Sequence, residues 1–540
     1  MSSLIYIFGL LQLYDTFYLW FIYSSGLTTF LLPSVRREIF SIKTFQSFSK
    51  NWVAGIVIVP YLIVTAIRTL SPTYFIDTCK YHFMICSVFL ENKGISFNPE
   101  NFLFDSHTSF FGESFYLIHL GLFDEFSAQL FVWCFAILCL YRLKSIVNIF
   151  CPKSNGIITF LLVSGNMVFT SVVIYSKTDV VMLYFVLELV YLALSNLKNI
   201  HTKIFAWLFS FTLMLKFNLV LFFPFLFLWC LYASYKNNLW KQQLINFLPG
   251  LFFPLLWMLK NMMTHGILMF PFVMNSPELP DMLIGGLKSP VDFQVRLKDS
   301  ILNLFTVTTS FRFHAGLLLW LTIALVLIKK YYKIKKLQFW LTVSIIFWFF
   351  NIYLLPMHVA VMRVTLPLWV LGVIVVEKYY SEKGNRVLKI FISCLVIAQF
   401  LYTMKYCASF MPGKDYHLGK ISLQKTYQTM GDDFGQFGSS LETDKSLDQT
   451  KKMAIFSEFG YLCRYPNRLY IHWSKTFDSH SWEYEKINKT FDDNKISYVL
   501  FDNRLSNPKN IIDQWIEKSL NNEKLVLIKK SRYAMLYQRQ

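Results

Sequence analysis

The sequence predicts a mainly α-helical polytopic membrane protein with about 11–13 transmembrane helices and a C-terminal extracytoplasmic α/β domain. Hydrophobic residues make up 55% of its 540 residues, aromatic residues make up 18%, and the mean hydropathy is +0.42. These values exceed those of an ordinary soluble domain. Apolar runs that approach the thickness of a bilayer recur as far as residue 405, whereas the chain beyond has the polarity of a soluble domain.

The apolar runs define the transmembrane part of the chain. A helical span needs roughly 20 apolar residues, so Ile204–Leu215 is short for ordinary hydrocarbon thickness. The region Leu4–Leu32 is also apolar but contains Asp15, and it is either one long helix or a tight hairpin. The predicted spans are Trp52–Leu70, Phe126–Leu140, Ile157–Tyr175, Val180–Leu197, Ile204–Leu215, Phe217–Tyr232, Ile245–Leu259, Ala315–Ile328, Phe339–Leu355, Val359–Val376 and Ile390–Met404.

Three regions follow from this pattern. Residues 1–50 are an extra apolar N-terminal segment, residues 51–405 are the transmembrane core with a large outer loop at 71–125, and residues 406–540 are the α/β domain. A Gly-, Asp-, Ser- and Thr-rich linker is expected around Gly431–Thr450. The patterns that follow predict strands at Met453–Phe456, Leu469–Trp473, Tyr498–Asp502 and Leu525–Ile528, and helices at Trp482–Asn494 and Asn510–Leu520.

The basic residues predict the orientation of the chain. The net charge is +19, but the tail from Tyr406 has about twenty Lys and Arg against about sixteen Asp and Glu, so roughly +15 belongs to the membrane part. There the basic residues lie in short connections, as the positive-inside rule requires, and no nucleic-acid partner is predicted. The cytoplasmic connections contain Arg36, Arg37, Lys43, Lys50, Arg142, Lys144, Lys153, Lys198, Lys203, Lys236, Lys241, Lys329–Lys336 and Glu377–Arg386. The large loop and the tail then face outside.

The outer loop Tyr74–Phe123 contains the sharpest candidate for chemistry. Its apolar positions alternate with polar ones around Phe83–Phe89 and again in Ser114–Leu122, which predicts two helices lying in the membrane interface. Asp77 stands at the root of this loop, beside the end of the first span. A carboxylate at such a boundary is costly to bury and usually has a task.

A second acid and several cations are expected on the same face. Asp179 opens another span in the segment YSKTDVV, where it either caps the helix or serves the site. Arg363 lies inside an apolar run, so an anion such as a phosphate is its expected partner. The other outer cations are Arg68, Lys177, Lys216, Lys260, Lys298 and Arg312. The spacing of the Cys and His residues matches no metal site, so no metal and no other cofactor is predicted, and a disulfide between Cys407 and Cys463 is left open.

These segments resemble a known family. FIDTCKYHFMICSVFLENKGI is similar to the D-x-x-x-YH first-loop signature of the class C polytopic glycosyltransferases, which include protein O-mannosyltransferases and the lipid A aminoarabinose transferase. Other segments agree in order, and the resemblance covers most of the chain from about Trp52. They are YSKTD, LKFN at Lys216, the stretch from Lys260 to Phe272, RVTLP at Arg363 and the α/β tail. The residues after Asp77, Thr78 and Cys79, depart from the small residues usual in the family.

The resemblance implies an activity and roles for individual residues. Such enzymes move a sugar from a polyprenyl-phosphate carrier to a hydroxyl acceptor on the extracytoplasmic face, here with inversion. Asp77 would be the base and Asp179 a second polar residue of the cavity. The implied substrate-binding residues are Tyr81, His82, Lys216, Lys260 and Arg363. The implied setting is a bacterial inner membrane, with membrane lipids, the lipid-linked donor and a glycan, lipid or protein acceptor as partners.

The chemistry of the donor agrees with this set of residues. A sugar on polyprenyl phosphate departs from a phosphate, a good leaving group that needs its charge neutralised more than it needs a proton. The acceptor hydroxyl must lose a proton, which one carboxylate can accept. Two alternatives remain: a transporter of lipid or polysaccharide, which would show inverted repeats, and an O-antigen ligase or polymerase, which would depend on outer-loop Arg and His residues.

The orientation generates a direct prediction. A cysteine introduced at Ser440 should react with an impermeant thiol reagent added outside intact cells. A cysteine at Lys333 should react only after the membrane is permeabilised, because the basic connection Lys329–Lys336 lies in the cytoplasm. Labelling of native cysteines in the parent protein is the control, and the opposite pattern would remove the proposed mechanism.

Overall fold

The structure is a computed structural model of the chain. Its described residues are 2–28, 52–73, 78–95, 111–152, 154–195, 203–215, 235, 239–265, 372–381, 385–408, 415–416, 418–430, 432–457, 460–463, 465–471, 484–505 and 511–540.

Helices dominate these residues before the tail. The chain makes a π-helical turn at Thr78–His82 and a 3₁₀ turn at Leu248–Leu251. The α-helices are α1 (Ser2–Leu10), α2 (Thr16–Thr28), α3 (Trp52–Thr69), α4 (Phe83–Glu91), α5 (Ser114–Leu122), α6 (Glu125–Phe150), α7 (Ile157–Ser164), α8 (Met167–Ile174), α9 (Thr178–Ser195), α10 (Lys203–Leu215), α11 (Trp240–Phe247), α12 (Phe252–His265), α13 (Val373–Ser381) and α14 (Arg386–Ala408).

Three helical stretches in the described residues are long and apolar enough to cross a membrane: Glu125–Phe150, Trp240–Met263 and Arg386–Ala408. The helices α7 and α8 add a fourth if together they form one bent span. These helices support an integral membrane protein. The spans predicted at Phe217–Tyr232, Ala315–Ile328 and Phe339–Leu355 lie outside the described residues, so the count of 11–13 stays a prediction.

The predicted span Ile157–Tyr175 is broken, because α7 and α8 are separate helices bent by 68° relative to each other. The break falls at Gly165 and Asn166. The Asn166 side chain caps α8 by accepting a hydrogen bond from the Phe169 backbone N–H at 3.1 Å. Asn is a strong helix starter, and this local preference outweighs the uniform apolarity of the run.

Over residues 2–28, the N-terminal segment forms two helices joined at Leu11–Asp15, not one long helix. It packs on the outer loop rather than standing apart from it. The Tyr14 backbone N–H donates to the Lys93 carbonyl oxygen at 2.7 Å, and the Ile95 N–H donates to the Gly9 carbonyl oxygen at 2.9 Å. Backbone hydrogen bonds thus join the turn between α1 and α2 to the end of α4.

The tail is a small α/β domain, as predicted. Its five-stranded sheet has the order β2-β1-β3-β5-β4, in which β2, β1 and β3 are parallel and the last two pairings are antiparallel. The strand β5 was not predicted. The elements are α15 (Leu423–Met430), α16 (Asp433–Ser440), β1 (Lys452–Phe456), β2 (Arg468–Ile471), α17 (Tyr484–Asp493), β3 (Ile496–Asp502), α18 (Ile511–Asn521), β4 (Leu525–Lys530) and β5 (Ala534–Arg539).

Two further expectations for this region are corrected. The predicted linker Gly431–Thr450 contains helix α16 and buries Leu441 and Leu447 in the core, because its apolar residues recur at helical spacing between the polar ones. Cys407 and Cys463 are both free thiols, so they do not form a disulfide.

The tail domain contacts the outer loop at three places. The Tyr427 hydroxyl donates to the Thr73 carbonyl oxygen at 3.2 Å. The rings of Phe83 and Tyr461 meet edge to face with their centroids 5.4 Å apart. Arg468 forms an ion pair with Glu91, with Nη2 3.1 Å from Oε1. The outer loop and the tail therefore lie on the same side of the transmembrane helices.

Candidate functional site

The outer loop reaches the start of α9 through two hydroxyl groups. The Thr78 hydroxyl donates to the Tyr175 carbonyl oxygen at 2.6 Å, and the Tyr116 hydroxyl donates to the Ser176 carbonyl oxygen at 2.5 Å. These carbonyls follow the last turn of α8, where backbone acceptors lack helical partners. The two hydroxyls bind successive carbonyls of the short turn that precedes Asp179.

Asp179 lies in the first turn of α9 and is fully buried. The prediction that it opens a helix is confirmed, and a carboxylate at this end is stabilised by the helix dipole. Close packing places it beside the loop. A Cβ on Gly112 would lie 3.3 Å from Thr178 Cβ and 3.1 Å from the Leu215 carbonyl oxygen. A side chain at Gly112 would therefore crowd the point where α9 begins and α10 ends.

A buried carboxylate follows directly at Glu113. Its Oε1 lies 3.0 Å from Nδ1 of His82, and the side chains of this pair are 11% and 1% exposed. The carboxylate also interacts electrostatically with Lys260 of α12, which is almost completely buried. An ammonium group in such a place requires a negative partner. Glu113 thus joins two of the predicted substrate-binding residues, His82 and Lys260, in one group of charges.

The N-terminal helix α1 packs beside this group of charged side chains. The ring of Tyr6 in α1 stacks on Phe111, two residues before Glu113, with the centroids 4.3 Å apart. Residues 1–50 were predicted only as an extra apolar segment. Their first helix in fact packs on the segment that carries the buried carboxylate.

The predicted site residues are only partly covered by the described residues. Asp179, His82 and Lys260 are described and lie in segments that converge at Gly112 and Glu113. Tyr81 belongs to the π-helical turn Thr78–His82, of which its backbone is described. Asp77, Lys216 and Arg363 lie outside the described residues, although Asp77 precedes Thr78 and Lys216 follows Leu215 in the sequence.

Glu113 was not predicted as a site residue. A signal for it does exist in the sequence, because FFGESF places one carboxylate among aromatic residues immediately before an apolar helix. Its partners His82 and Lys260 come from distant parts of the chain, so their convergence could not be read from spacing.

Another histidine of the loop, His119, has a different environment. Its Nδ1 lies 2.7 Å from the Ser127 hydroxyl oxygen, and burial lowers its pKa to about 4. It is therefore neutral at physiological pH and acts as a packed, hydrogen-bonded side chain. Two predicted outer cations, Arg68 and Lys177, are also buried, and the Arg68 guanidinium lies 5.7 Å from the centroid of the Tyr175 ring.

Within the described residues, no group of three or more His, Cys, Asp or Glu side chains is arranged to hold a metal ion.

The fold and the site together define a helical membrane protein with buried charges and an α/β domain on one face. No protein-family model and no curated protein sequence matches the chain. A solved structure that aligns with it is the cryo-EM structure of the arabinofuranosyltransferase AftD from Mycobacteria, with 11% identity and a TM-score of 0.42. The alignment covers 90% of this chain and 40% of that protein.

The hydroxyl contacts generate a stability prediction. Tyr116→Phe should lower the free energy of unfolding by about 1–3 kcal/mol, because a buried acceptor at Ser176 loses its donor while the ring is kept. Tyr402→Phe is the matched control, since Tyr402 is 52% exposed. Thermal unfolding in detergent checks the prediction. Equal melting temperatures for the two variants would show that the hydroxyl of Tyr116 does not hold this turn.

Proposed function

We propose that the protein is a glycosyltransferase that moves a sugar from a polyprenyl-phosphate carrier to a hydroxyl acceptor on the extracytoplasmic face of a bacterial inner membrane. The observation that supports it most is the group of buried, unlike charges where the outer loop meets the ends of α9, α10 and α12. Burying Glu113, Asp179 and Lys260 costs free energy, and ionisable side chains that are buried at such a cost are typical of functional sites.

The acceptor hydroxyl requires a base, and Asp77 is the proposed one. It directly precedes in sequence the π-helical turn that carries His82. Such single-turn irregularities occur frequently at functional sites. Asp179 is the proposed second polar residue of the cavity. It lies in the first turn of α9, where the helix dipole favours negative charge, so its carboxylate can orient polar groups.

The donor phosphate requires cations, and Lys260 is the described candidate. Lys216 and Arg363 complete the proposed phosphate-binding set, since Lys216 follows the residue that packs on Gly112. Arg suits a phosphate particularly well because its planar guanidinium can bind two oxygens at once. A lipid-linked phosphate would enter from the membrane while its sugar projects towards the outer loop.

The tail domain is proposed to contribute to the choice of acceptor. Its contacts with Thr73, Phe83 and Glu91 place it on the loop that carries Asp77 and His82. A glycan, lipid or protein acceptor that approaches from the outside would therefore meet the tail and the loop together.

The role of the base generates the first functional prediction. Asp77→Asn should reduce the transfer rate by about a hundredfold or more, because the amide keeps the size of the side chain but cannot accept the proton. The rate is measured with a lipid-linked sugar and purified protein. Asp415→Asn is the control, since Asp415 is a half-exposed carboxylate of the tail region. A normal rate for Asp77→Asn together with an inactive Asp179→Asn would identify Asp179 as the base instead.

The identity of the donor generates the second functional prediction. Arg363→Lys should weaken use of the donor and Arg363→Ala should nearly abolish it, because lysine offers one point charge in place of a two-pronged contact. Affinity for the acceptor should change little in both. Transfer is measured against the concentration of a polyprenyl-phosphate sugar, with the soluble nucleotide sugar in parallel. Efficient use of the nucleotide sugar, or indifference to Arg363→Ala, would contradict the lipid-carrier proposal.

A further inference from the structure

The proposed reaction changes the charge on the phosphate. The bond between the anomeric carbon and the phosphate oxygen breaks, and its electron pair stays on that oxygen. The acceptor oxygen forms the new bond to the anomeric carbon, and its proton passes to Asp77. The phosphodiester of the donor carries one negative charge, whereas the polyprenyl monophosphate that leaves carries up to two. The site must therefore stabilise one additional negative charge as the bond breaks.

We infer that His82, held by Glu113, supplies the positive charge that meets this second charge of the departing phosphate. The inference deepens the proposed function and rests on it. Glu113 contacts the imidazole at Nδ1, so it fixes the orientation of the ring and can stabilise the imidazolium when the second proton is bound. The imidazolium donates through its other nitrogen to the departing oxygen. Glu113 is then a positioning residue that acts through His82.

Lys260 has a different part in the same site. In this proposal its ammonium group meets the single charge that the donor already carries. Glu113 interacts with Lys260 as well as with His82, so the site holds one acidic side chain beside two basic ones. A phosphate that enters can take over part of the interaction that Lys260 makes with Glu113.

Their positions in the chain favour this division of roles. His82 ends the π-helical turn that begins one residue after Asp77, so the proposed base and the proposed donor to the leaving oxygen share one short segment. The Tyr116 ring packs on the His82 ring with their centroids 5.8 Å apart, and the Tyr116 hydroxyl binds the turn before Asp179. The orientation of the imidazole is thereby tied to the two loops that carry the proposed acids.

The test compares two soluble probes that differ by one charge. Farnesyl monophosphate carries about two charges at pH 7.5, because its second pKa is about 6, while its methyl diester carries one. The intact protein in detergent should bind the monophosphate more tightly than the diester. His82→Gln and Glu113→Gln should each reduce that ratio of affinities by about tenfold, since a charge-assisted contact to the extra charge is lost. Lys260→Met should lower the affinity for both probes by the same factor.

The controls separate this inference from the proposed function. His119→Gln replaces another buried histidine of the same loop and should leave the ratio unchanged. An unchanged ratio in His82→Gln, with lipid-dependent transfer intact in the parent protein, would overturn only the role of His82. A parent protein that binds neither probe would overturn the lipid-phosphate donor itself. Glu113→Gln, which keeps the size of the side chain, decides the question if His82→Gln does not fold.

Discussion

The burial of Glu113 is the constraint around which the rest of the site is arranged. A carboxylate withdrawn from water is tolerated only where positive or donor groups replace its solvation. His82 reaches it from the π-helical turn and Lys260 from α12. Two parts of the chain that are distant in sequence must therefore assemble with Glu113 before its charge is compensated.

A second set of contacts fixes the turn that precedes Asp179. The turn between α8 and α9 contains Ser176 with a positive φ of 51°, a conformation that is unfavourable for residues other than glycine. Hydrogen bonds from Thr78 and Tyr116 to the carbonyls of this turn compensate for the strain. The bend between α7 and α8 belongs to the same arrangement, because it allows a short helix to end at the loop. Local strain and irregular helices thus concentrate around the buried charges, as is common at functional sites.

Sequence patterns were sufficient for features that depend on neighbouring residues. The two loop helices, the opening of a helix at Asp179 and four strands of the tail follow from local periodicity, and all are present. The bent pair α7 and α8 was missed because an unbroken apolar run conceals a capping preference at Asn166. Glu113 was missed because its importance comes from Lys260, which is far along the chain. Periodicity reports which face of a helix is buried, but it does not report which buried charges meet.

The tail domain contacts the segment of the outer loop that carries His82. Tyr427 binds the backbone at Thr73, and Arg468 pairs with Glu91, so the tail holds both ends of the segment that contains the π-helical turn. Solvent weakens the Arg468–Glu91 ion pair, because the Glu91 side chain is partly exposed. Burial raises the pKa of Glu91, and the charge of Arg468 opposes this shift only in part. The aromatic contact between Phe83 and Tyr461 is fully buried on the side of Phe83 and is the firmer of these attachments. This attachment lies next to the site, because Phe83 is the residue that follows His82 directly.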